Sequence, residues 1–323
     1  MNFYRHIPQV LSALLATLSL SLAAQTWPGQ TIKIIVPFTP GTGMDTIART
    51  VSPKLSERLG QSVVVQNTPG ASGNIGADNV AKATPDGYTL LMGANTMLMA
   101  SQLYKNVPFN PVDDFSSVSM AAYGTLMLVA NPKTGIKSMQ ELIAQAKAKP
   151  GSVVYGSPGI GTPHHMAMEL FKSKTQLFVL HVPYRGTAGY VTDLLAGELM
   201  VGFLPVHVAQ GFVNSGKLTA LAIGGATRHP VAPTVATFDE LGVKDVNVDM
   251  WYAFFAPNKT PAPVVSRLNT EIAAIMKLPE VRAVLSKAGL DAASSTTGEL
   301  TTTVKQDYQR WGAVIKRNGI TAE

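Results

Sequence analysis

Residues 32–47 read IKIIVPFTPGTGMDTI, and this stretch combines a strand, a glycine-containing turn and the beginning of a helix. The apolar residues 32–36 are typical of a buried strand, which the proline and the two glycines that follow bring to an end. A turn of this kind that leads into a helix presents backbone N–H groups to an anion. The stretch contains neither the GK[ST] of a nucleotide-binding loop nor the G-x-G-x-x-G of a dinucleotide site. It therefore predicts an anion-binding loop of another kind.

A second stretch, residues 152–166 with the sequence SVVYGSPGIGTPHHM, repeats this layout. Thr162 is the predicted N-cap of its helix, and Pro163 occupies the first helical position. Two helix N-termini that face each other across a cleft suit a ligand with a negative charge at each end, or with one charged and one polar end. Each loop taken alone is also compatible with an ordinary strand-to-helix turn. The pairing of two such loops favours a binding site.

Strand-like and helix-like segments alternate along the chain, which predicts an α/β fold. The strand-like segments are TIKIIV, SVVVQ, YTLLMG, SVVYG, LFVLHV, LMVGFL and LTALAIG. Apolar residues at helical spacing from Met44 to Leu59, from Val265 to Met276 and from Leu300 to Ile315 predict three amphipathic helices.

Two turn-rich segments, residues 130–138 and 224–238, are the predicted crossovers between two lobes. A chain of about 300 residues is long enough for two domains. We predict a discontinuous first lobe of residues 24–128 and 236–323, and a second lobe of residues 129–235.

The N-terminus has the features of a secretory signal peptide. A short basic start is followed by an uncharged apolar stretch that ends in small residues, so we predict a signal peptide of residues 1–23, with cleavage after Ala23 or Ala24. A membrane anchor is the alternative, although the apolar stretch is short for a span. The sequence has no cysteine, which excludes disulfides, thiolate metal sites and a lipid-modified cysteine. We therefore expect a periplasmic protein that is not lipidated.

Charge and motifs restrict the possible functions. The sequence has 26 Lys and Arg residues against 20 Asp and Glu residues. The basic residues are dispersed along the chain, so we predict no nucleic-acid partner. A mildly basic surface suits a small anion. Adjacent His164 and His165 point to different sides of a helix and make a poor metal pair, so we predict no metal and no cofactor. The sequence also lacks a nucleophile elbow and an H-E-x-x-H motif, and we predict that the protein is not an enzyme.

Several long blocks resemble the Bug family, the TctC-like periplasmic solute-binding proteins of tripartite tricarboxylate transporters. These blocks are VPFTPGTGMDTIART, QNTPGASGNIGADNVAKATPDGYTLLMG, YGSPGIGTPHHMAMELF, VPYRGTAGYVTDLLAGELMVGF and WYAFFAPNKTPAPVVSRLN. The resemblance extends over almost the whole chain that follows the predicted signal peptide. It implies a two-lobed periplasmic binding-protein fold, type II-like, in which each lobe is a sheet flanked by helices. A small carboxylate is expected in the cleft between the lobes.

The resemblance also implies which residues bind the ligand, largely through main-chain N–H groups of the two loops. The predicted set is Phe38, Thr39, Gly41, Thr42, Gly43, Asn95, Ser157, Gly159, Gly161, Thr162, His164, Tyr184, Arg185, Asp193 and Pro205. Arg185 could clamp a carboxylate through its planar guanidinium, or it could be a solvated turn residue. Asp193 could bind a ligand amino group or make a structural hydrogen bond. Thr42 and Met200 stand where the family often has glycine and aspartate, which leaves the identity of the carboxylate open.

These features together predict a monomeric periplasmic receptor that passes a small organic carboxylate to the membrane subunits of a transporter. Two alternatives remain at this point. The first is a receptor that reports its ligand to a two-component sensor kinase. The second is a serine hydrolase that uses Ser157 as nucleophile with His164 or His165 as base, because a serine in a glycine loop near a histidine can have that role.

Overall fold

The computed structural model describes residues 27–246 and 250–322, so the predicted signal peptide lies outside the described residues. The strands are β1 (Ile32–Val36), β2 (Val63–Asn67), β3 (Thr89–Ala94), β4 (Phe115–Gly124), β5 (Leu126–Ala130), β6 (Val154–Ser157), β7 (Leu180–Pro183), β8 (Val201–Pro205), β9 (Thr219–Ile223), β10 (Met250–Pro257) and β11 (Leu290–Ala292). The seven segments that the sequence predicts as strands all form strands.

The α-helices connect these strands and cover both sheets. They are α1 (Gly43–Leu59), α2 (Asn74–Ala81), α3 (Thr96–Leu103), α4 (Met139–Ala148), α5 (Pro163–Thr175), α6 (Thr187–Ala196), α7 (Val206–Asn214), α8 (Ala262–Ile275), α9 (Pro279–Lys287) and α10 (Thr297–Arg317). The three predicted amphipathic helices correspond to α1, α8 and α10. No helix in the described part of the chain combines the length and the apolar character of a membrane span.

The strands form two sheets of mixed direction. The first sheet has the order β11-β4-β10-β3-β1-β2, and the second has the order β7-β6-β8-β5-β9. Parallel pairs join β1 to β2 and β3 in the first sheet, and β6 to β7 and β8 in the second. The predicted two-lobed α/β fold is therefore confirmed.

The chain passes between the sheets twice. Between β4 and β5 only Thr125 intervenes, and the return lies between β9 and β10. The predicted boundary at residue 129 falls inside β5, which pairs with β8 and β9 of the second sheet. The reason is that two strands of different sheets follow each other almost without a loop, so no turn marks the first crossover. Residues 132–134, which lie in the predicted crossover, form a short 3₁₀ turn before α4.

Helix α1 shows how the local sequence positions the first loop. Ile47, Val51 and Leu55 are fully buried against the sheet, as their helical spacing predicts. Burial of such a side chain contributes about 1.5–3 kcal/mol, so this face anchors the helix firmly. The Thr42 hydroxyl accepts a hydrogen bond from the backbone N–H of Asp45 and caps the helix. The start of α1 is thus fixed at the carboxyl end of β1.

Candidate ligand-binding site

A cavity lies between the two lobes at the carboxyl ends of the strands, where open α/β sheets place their ligands. We call it the inner cavity. Its walls from the first lobe include Phe38, Gly41, Thr42, Gly43, Met44, Asn95, Thr96, Met250, Tyr252 and Leu290. Its walls from the second lobe include Pro158, Thr162, His164, Thr187, Pro205 and Val208.

Five helices begin at the inner cavity, namely α1, α3, α5, α6 and α7. Their first N–H groups have no acceptor within the helix, and each N-terminus carries a partial positive charge. Among the described residues, none of the side chains that line the cavity is an Asp, Glu, Lys or Arg. The electrostatic character of the cavity therefore comes from helix N-termini and neutral polar groups, and it favours an anion.

The first loop is held by Asp45. Its carboxylate accepts hydrogen bonds from the Gly41 N–H (3.0 Å), the Arg49 Nε (3.0 Å) and the Asn67 Nδ2 (3.0 Å). Burial opposes ionisation of Asp45, but these hydrogen bonds and the Arg49 charge outweigh it and lower the pKa of the carboxyl group. Asp45 thus fixes the loop, and it takes up the Gly41 N–H. The unoccupied donors of this loop are at the first turn of α1.

The second loop uses several of its own N–H groups internally. The Gly159 N–H donates to the Ser157 Oγ (3.2 Å), and the Gly161 N–H donates to the His165 Nδ1 (3.2 Å). The Thr162 N–H donates to the Gly159 carbonyl (3.3 Å). The N–H groups of Gly159 and Gly161, which were expected to bind the ligand, are therefore already hydrogen-bonded within the protein. A ligand in the cavity meets the first turn of α5 and the side chains around it.

His164 is the buried polar side chain with the strongest reason to meet a ligand. It lines the inner cavity and is 9% exposed. Neither of its ring nitrogens has a hydrogen-bond partner among the described residues. Burial lowers the pKa of His164 to about 3, so the ring is neutral near pH 7 and offers one donor and one acceptor. A buried pair of unsatisfied nitrogens beside a cavity indicates that a ligand or water completes the site.

The burial of His164 predicts a pH-dependent stability. The unfolded chain binds a proton at this histidine near pH 6.5, whereas the folded chain does so only near pH 3. The unfolding free energy should therefore be highest above pH 6.5 and should fall as the pH drops, by at most about 1.4 kcal/mol per pH unit from this group. Urea unfolding of wild type and His164→Gln at pH 7.5, 6.0 and 5.0 measures this slope.

The His164→Gln variant should be less sensitive to this acidification than wild type. A matched control is His229→Gln, since His229 does not line the cavity and its ring accepts a hydrogen bond from the Val231 N–H in a surface loop. This control should keep the wild-type slope. An unchanged slope in His164→Gln would contradict a neutral buried imidazole at this position.

A second cavity, which we call the outer crevice, lies beside the inner cavity and shares Phe38 and Pro158 with it. Its other walls include Thr39, Ser72, Tyr104, Gly159, Tyr184 and Arg185. Arg185 is exposed and lines only this crevice, so it is not part of the inner cavity. The Tyr184 hydroxyl donates a hydrogen bond to Asp193. Asp193 thus makes the structural hydrogen bond that the sequence left as one of two possibilities.

The predicted site residues therefore separate into three groups. The inner cavity contains Phe38, Gly41, Thr42, Gly43, Asn95, Thr162, His164 and Pro205. The outer crevice contains Phe38, Thr39, Gly159, Tyr184 and Arg185. Ser157, Gly161 and Asp193 line neither cavity. Sequence reasoning missed Thr187, Val208, Met250, Tyr252 and Leu290, which no local pattern marks as cleft residues.

Ser157 does not pair with the histidines that a hydrolase was expected to use. Its side chain is fully buried, and its Oγ lies 2.7 Å from the Nε2 of His181. His165 instead accepts the Gly161 N–H and stacks on His181, and His164 faces the inner cavity. The expected Ser157–His164 or Ser157–His165 pair is therefore wrong. The partner of Ser157 comes from β7, which the spacing of residues could not indicate.

The two lobes touch through three glycines of the second lobe. A Cβ atom on Gly159 would lie 2.6 Å from the Ser72 Oγ, and one on Gly186 would lie 2.7 Å from the Thr39 Oγ1. A Cβ on Gly161 would lie 2.6 Å from the Cα of Ala100. The hydroxyl groups of Ser72 and Thr39 can move aside, but the backbone of Ala100 cannot, so Gly161 in particular permits the lobes to lie this close to each other beside the cavity.

Two α/β lobes that close on an uncharged cavity lined by helix N-termini define a two-lobed solute-binding protein. The chain belongs to the TctC family, described as the tripartite tricarboxylate transporter family receptor. The model of this family matches residues 47–320. Members of this family are solute-binding receptors, and related solved structures are described as periplasmic binding proteins. The resemblance read from the sequence is thereby confirmed.

Individual relatives agree over almost their full length. Protein BugT of Bordetella pertussis is 34% identical over 314 residues, which cover 96% of each chain. The periplasmic binding protein BugD has a TM-score of 0.86 at 28% identity, with 91% of this chain and 99% of that chain covered. A protein of R. palustris, solved with adipate, has a TM-score of 0.86 at 31% identity, with the same coverage of 91% and 99%. MatC from Rhodopseudomonas palustris, solved with malate, has a TM-score of 0.83 at 27% identity and covers 90% of this chain and 100% of that chain.

Proposed function

We propose that this protein captures a small organic carboxylate in the periplasm and delivers it to the membrane subunits of a tripartite tricarboxylate-type transporter. The observation that carries the proposal is the inner cavity, where five helix N-termini meet and none of the lining residues that the structure describes has a charged side chain. The protein is exported by its N-terminal segment, carries no lipid and acts as a monomer. The adipate and malate of the two solved relatives support a carboxylate as the ligand class.

The carboxylate lies between the first turns of α1 and α5 in this proposal. The N–H groups of Gly43 and Met44 on one side and of His164 on the other have no acceptor within their helices. The hydroxyls of Thr42 and Thr162 already cap their helices through Asp45 and His165, so they position the helices. The neutral His164 ring adds one donor. Hydrogen bonds to a charged oxygen are worth about 1.5–3 kcal/mol each, so a few such donors give useful affinity.

Largely apolar residues from other segments form a further part of the cavity wall. Met250, Tyr252 and Leu290 come from β10 and β11, and Val208 comes from α7. Contacts with this wall hold the carbon skeleton of the ligand, as in most small-molecule sites. Because residues of β10 and β11 line the cavity, chain segments far from the two loops also contribute to ligand choice.

A thermal-shift screen of the purified protein tests the proposal. The panel comprises adipate, malate, citrate, glutamate and benzoate, each as a concentration series, followed by calorimetry with the acid that stabilises most. We expect at least one acid to raise the melting temperature with concentration, since a ligand of the folded state stabilises by mass action. One molecule should bind per chain, and the acid should be recovered unchanged. Failure of every acid to bind the folded protein would contradict the proposal.

A further inference from the structure

The side chain of Ser157 stands at the end of β6 and connects the sheet to the second loop. Its Oγ accepts the Gly159 N–H (3.2 Å) and lies 3.1 Å from the Gly159 carbonyl oxygen. The His181 Nε2 is 2.7 Å from the same Oγ. The Ser157 carbonyl also accepts the Tyr184 N–H (2.9 Å). One fully buried residue therefore makes contacts on both sides of the loop that leads into α5.

His181 reaches Ser157 from the neighbouring strand β7, where its register partner in β6 is Tyr155. Its ring lies between two others, with centroid distances of 4.5 Å to Tyr155 and 4.5 Å to His165. His165 in turn accepts the Gly161 N–H (3.2 Å) through its Nδ1. His181 thus contacts both side chains that hold N–H groups of the second loop.

We propose that His181 is a positioning residue for ligand binding, which holds the second loop and the N-terminus of α5 in their binding geometry. It acts on Gly159 through the Ser157 Oγ and on Gly161 through its stacking on His165. This role of His181 in ligand binding depends on one part of the proposed function, namely that α5 provides hydrogen-bond donors to the carboxylate. The loop itself is held in this way whether or not a ligand is bound.

The same contacts argue against a catalytic role for this serine and histidine. A serine beside a histidine is the arrangement of a nucleophile and its base. The Ser157 side chain, however, is fully buried and lines neither cavity, so the atoms of a substrate in either cavity do not reach its Oγ. The pair fixes a loop.

Two substitutions at one position separate the hydrogen bond from the stacking. His181→Gln places an amide nitrogen close to the position of Nε2, whereas the shorter side chain in His181→Asn cannot reach Ser157. Both substitutions remove the aromatic ring and therefore lose the stack equally. A purely structural role of the ring would affect the two variants to the same extent, so their difference reports the bond to Ser157.

Amide hydrogen exchange in the ligand-free protein is the first measurement. We expect the Gly159 amide of His181→Asn to exchange about tenfold faster than in His181→Gln, as the loss of one hydrogen bond implies. In a Ser157→Ala background this difference should disappear, because the acceptor of the Gly159 N–H is absent in both variants. Calorimetry with the acid of the panel that stabilises the protein most should rank the affinities as wild type, then Gln, then Asn.

Equal exchange in the Gln and Asn variants, or a difference that persists in the Ser157→Ala background, would overturn the positioning role of His181. Hydrogen exchange does not depend on the ligand. If the exchange pattern is as predicted but the protein binds no acid of the panel, His181 positions the loop as proposed, and the proposed function is contradicted.

Discussion

Gly161→Ala should weaken carboxylate binding on the order of a hundredfold, which corresponds to about 2.7 kcal/mol. A Cβ at this position would lie 2.6 Å from the Cα and 2.9 Å from the N of Ala100 in the other lobe. Backbone atoms of a helix cannot give way as the end of a flexible side chain can, so the lobes would be held apart. The donors of α1 and α5 could then no longer reach one ligand together. Calorimetry with the best acid of the panel measures the loss.

Gly135→Ala is the matched control for this prediction. Gly135 belongs to the same lobe and has nearly the same backbone conformation, with φ +74° against +76° for Gly161, but a Cβ there would meet nothing within 4 Å. Both substitutions cost roughly 1–2 kcal/mol of stability through the left-handed backbone. Only Gly161→Ala should lose affinity and show a larger radius of gyration with ligand. Equal affinities in the two variants would mean that closure does not depend on this contact.

Asp45→Ala should lower the free energy of unfolding by about 2–3 kcal/mol, because it removes a buried carboxylate that accepts several charge-assisted hydrogen bonds from partly buried donors. These donors are the Gly41 N–H and the Asn67 Nδ2, and the Arg49 guanidinium loses its ion pair as well. The Thr42 cap and the first turn of α1 should loosen at the same time, so the affinity for the carboxylate should also fall. Urea unfolding and calorimetry measure the two effects.

An exposed carboxylate provides the control for Asp45→Ala. The side chain of Glu57 in α1 is 76% exposed and lies 4.0 Å from the Lys54 ammonium, so Glu57→Ala should leave the unfolding midpoint near that of wild type. If Asp45→Ala also kept the wild-type midpoint, the first loop would owe its shape to other contacts. If it lost stability but kept full affinity, the shape of the loop would not matter for the ligand.

The sequence predicts the fold well where the spacing of apolar residues shows which face of a helix or strand is buried. The helix α1 is marked by its apolar spacing and β1 by its apolar run, because each buries one continuous surface. Strands β4, β5, β10 and β11 are not among the predicted strands, although β10 is buried at all eight positions. A continuous apolar run fits a buried helix as well as a buried strand, so periodicity does not identify β10, whereas the proline and glycines that follow β1 mark that run as a strand.

The site is predicted less completely, for a physical reason that the second loop illustrates. Its glycines and the N-cap Thr162 are local features and are visible in the sequence. Which N–H groups remain available depends on side chains that approach through tertiary structure, such as His181 on Ser157. The same holds for Tyr252 and Leu290, which enter the cavity from strands that are more than 200 residues beyond the first loop in the chain.

The central claim is that a carboxylate binds in the inner cavity between the first turns of α1 and α5. A crystal structure of the protein with the tightest-binding acid of the panel tests it most directly. We expect carboxylate oxygens within about 2.7–3.2 Å of the backbone nitrogen of Gly43 or Met44 and of a donor nitrogen of His164, with the lobes closed. A carboxylate that instead lies on Arg185 in the outer crevice, with the inner cavity free of ligand, would contradict it.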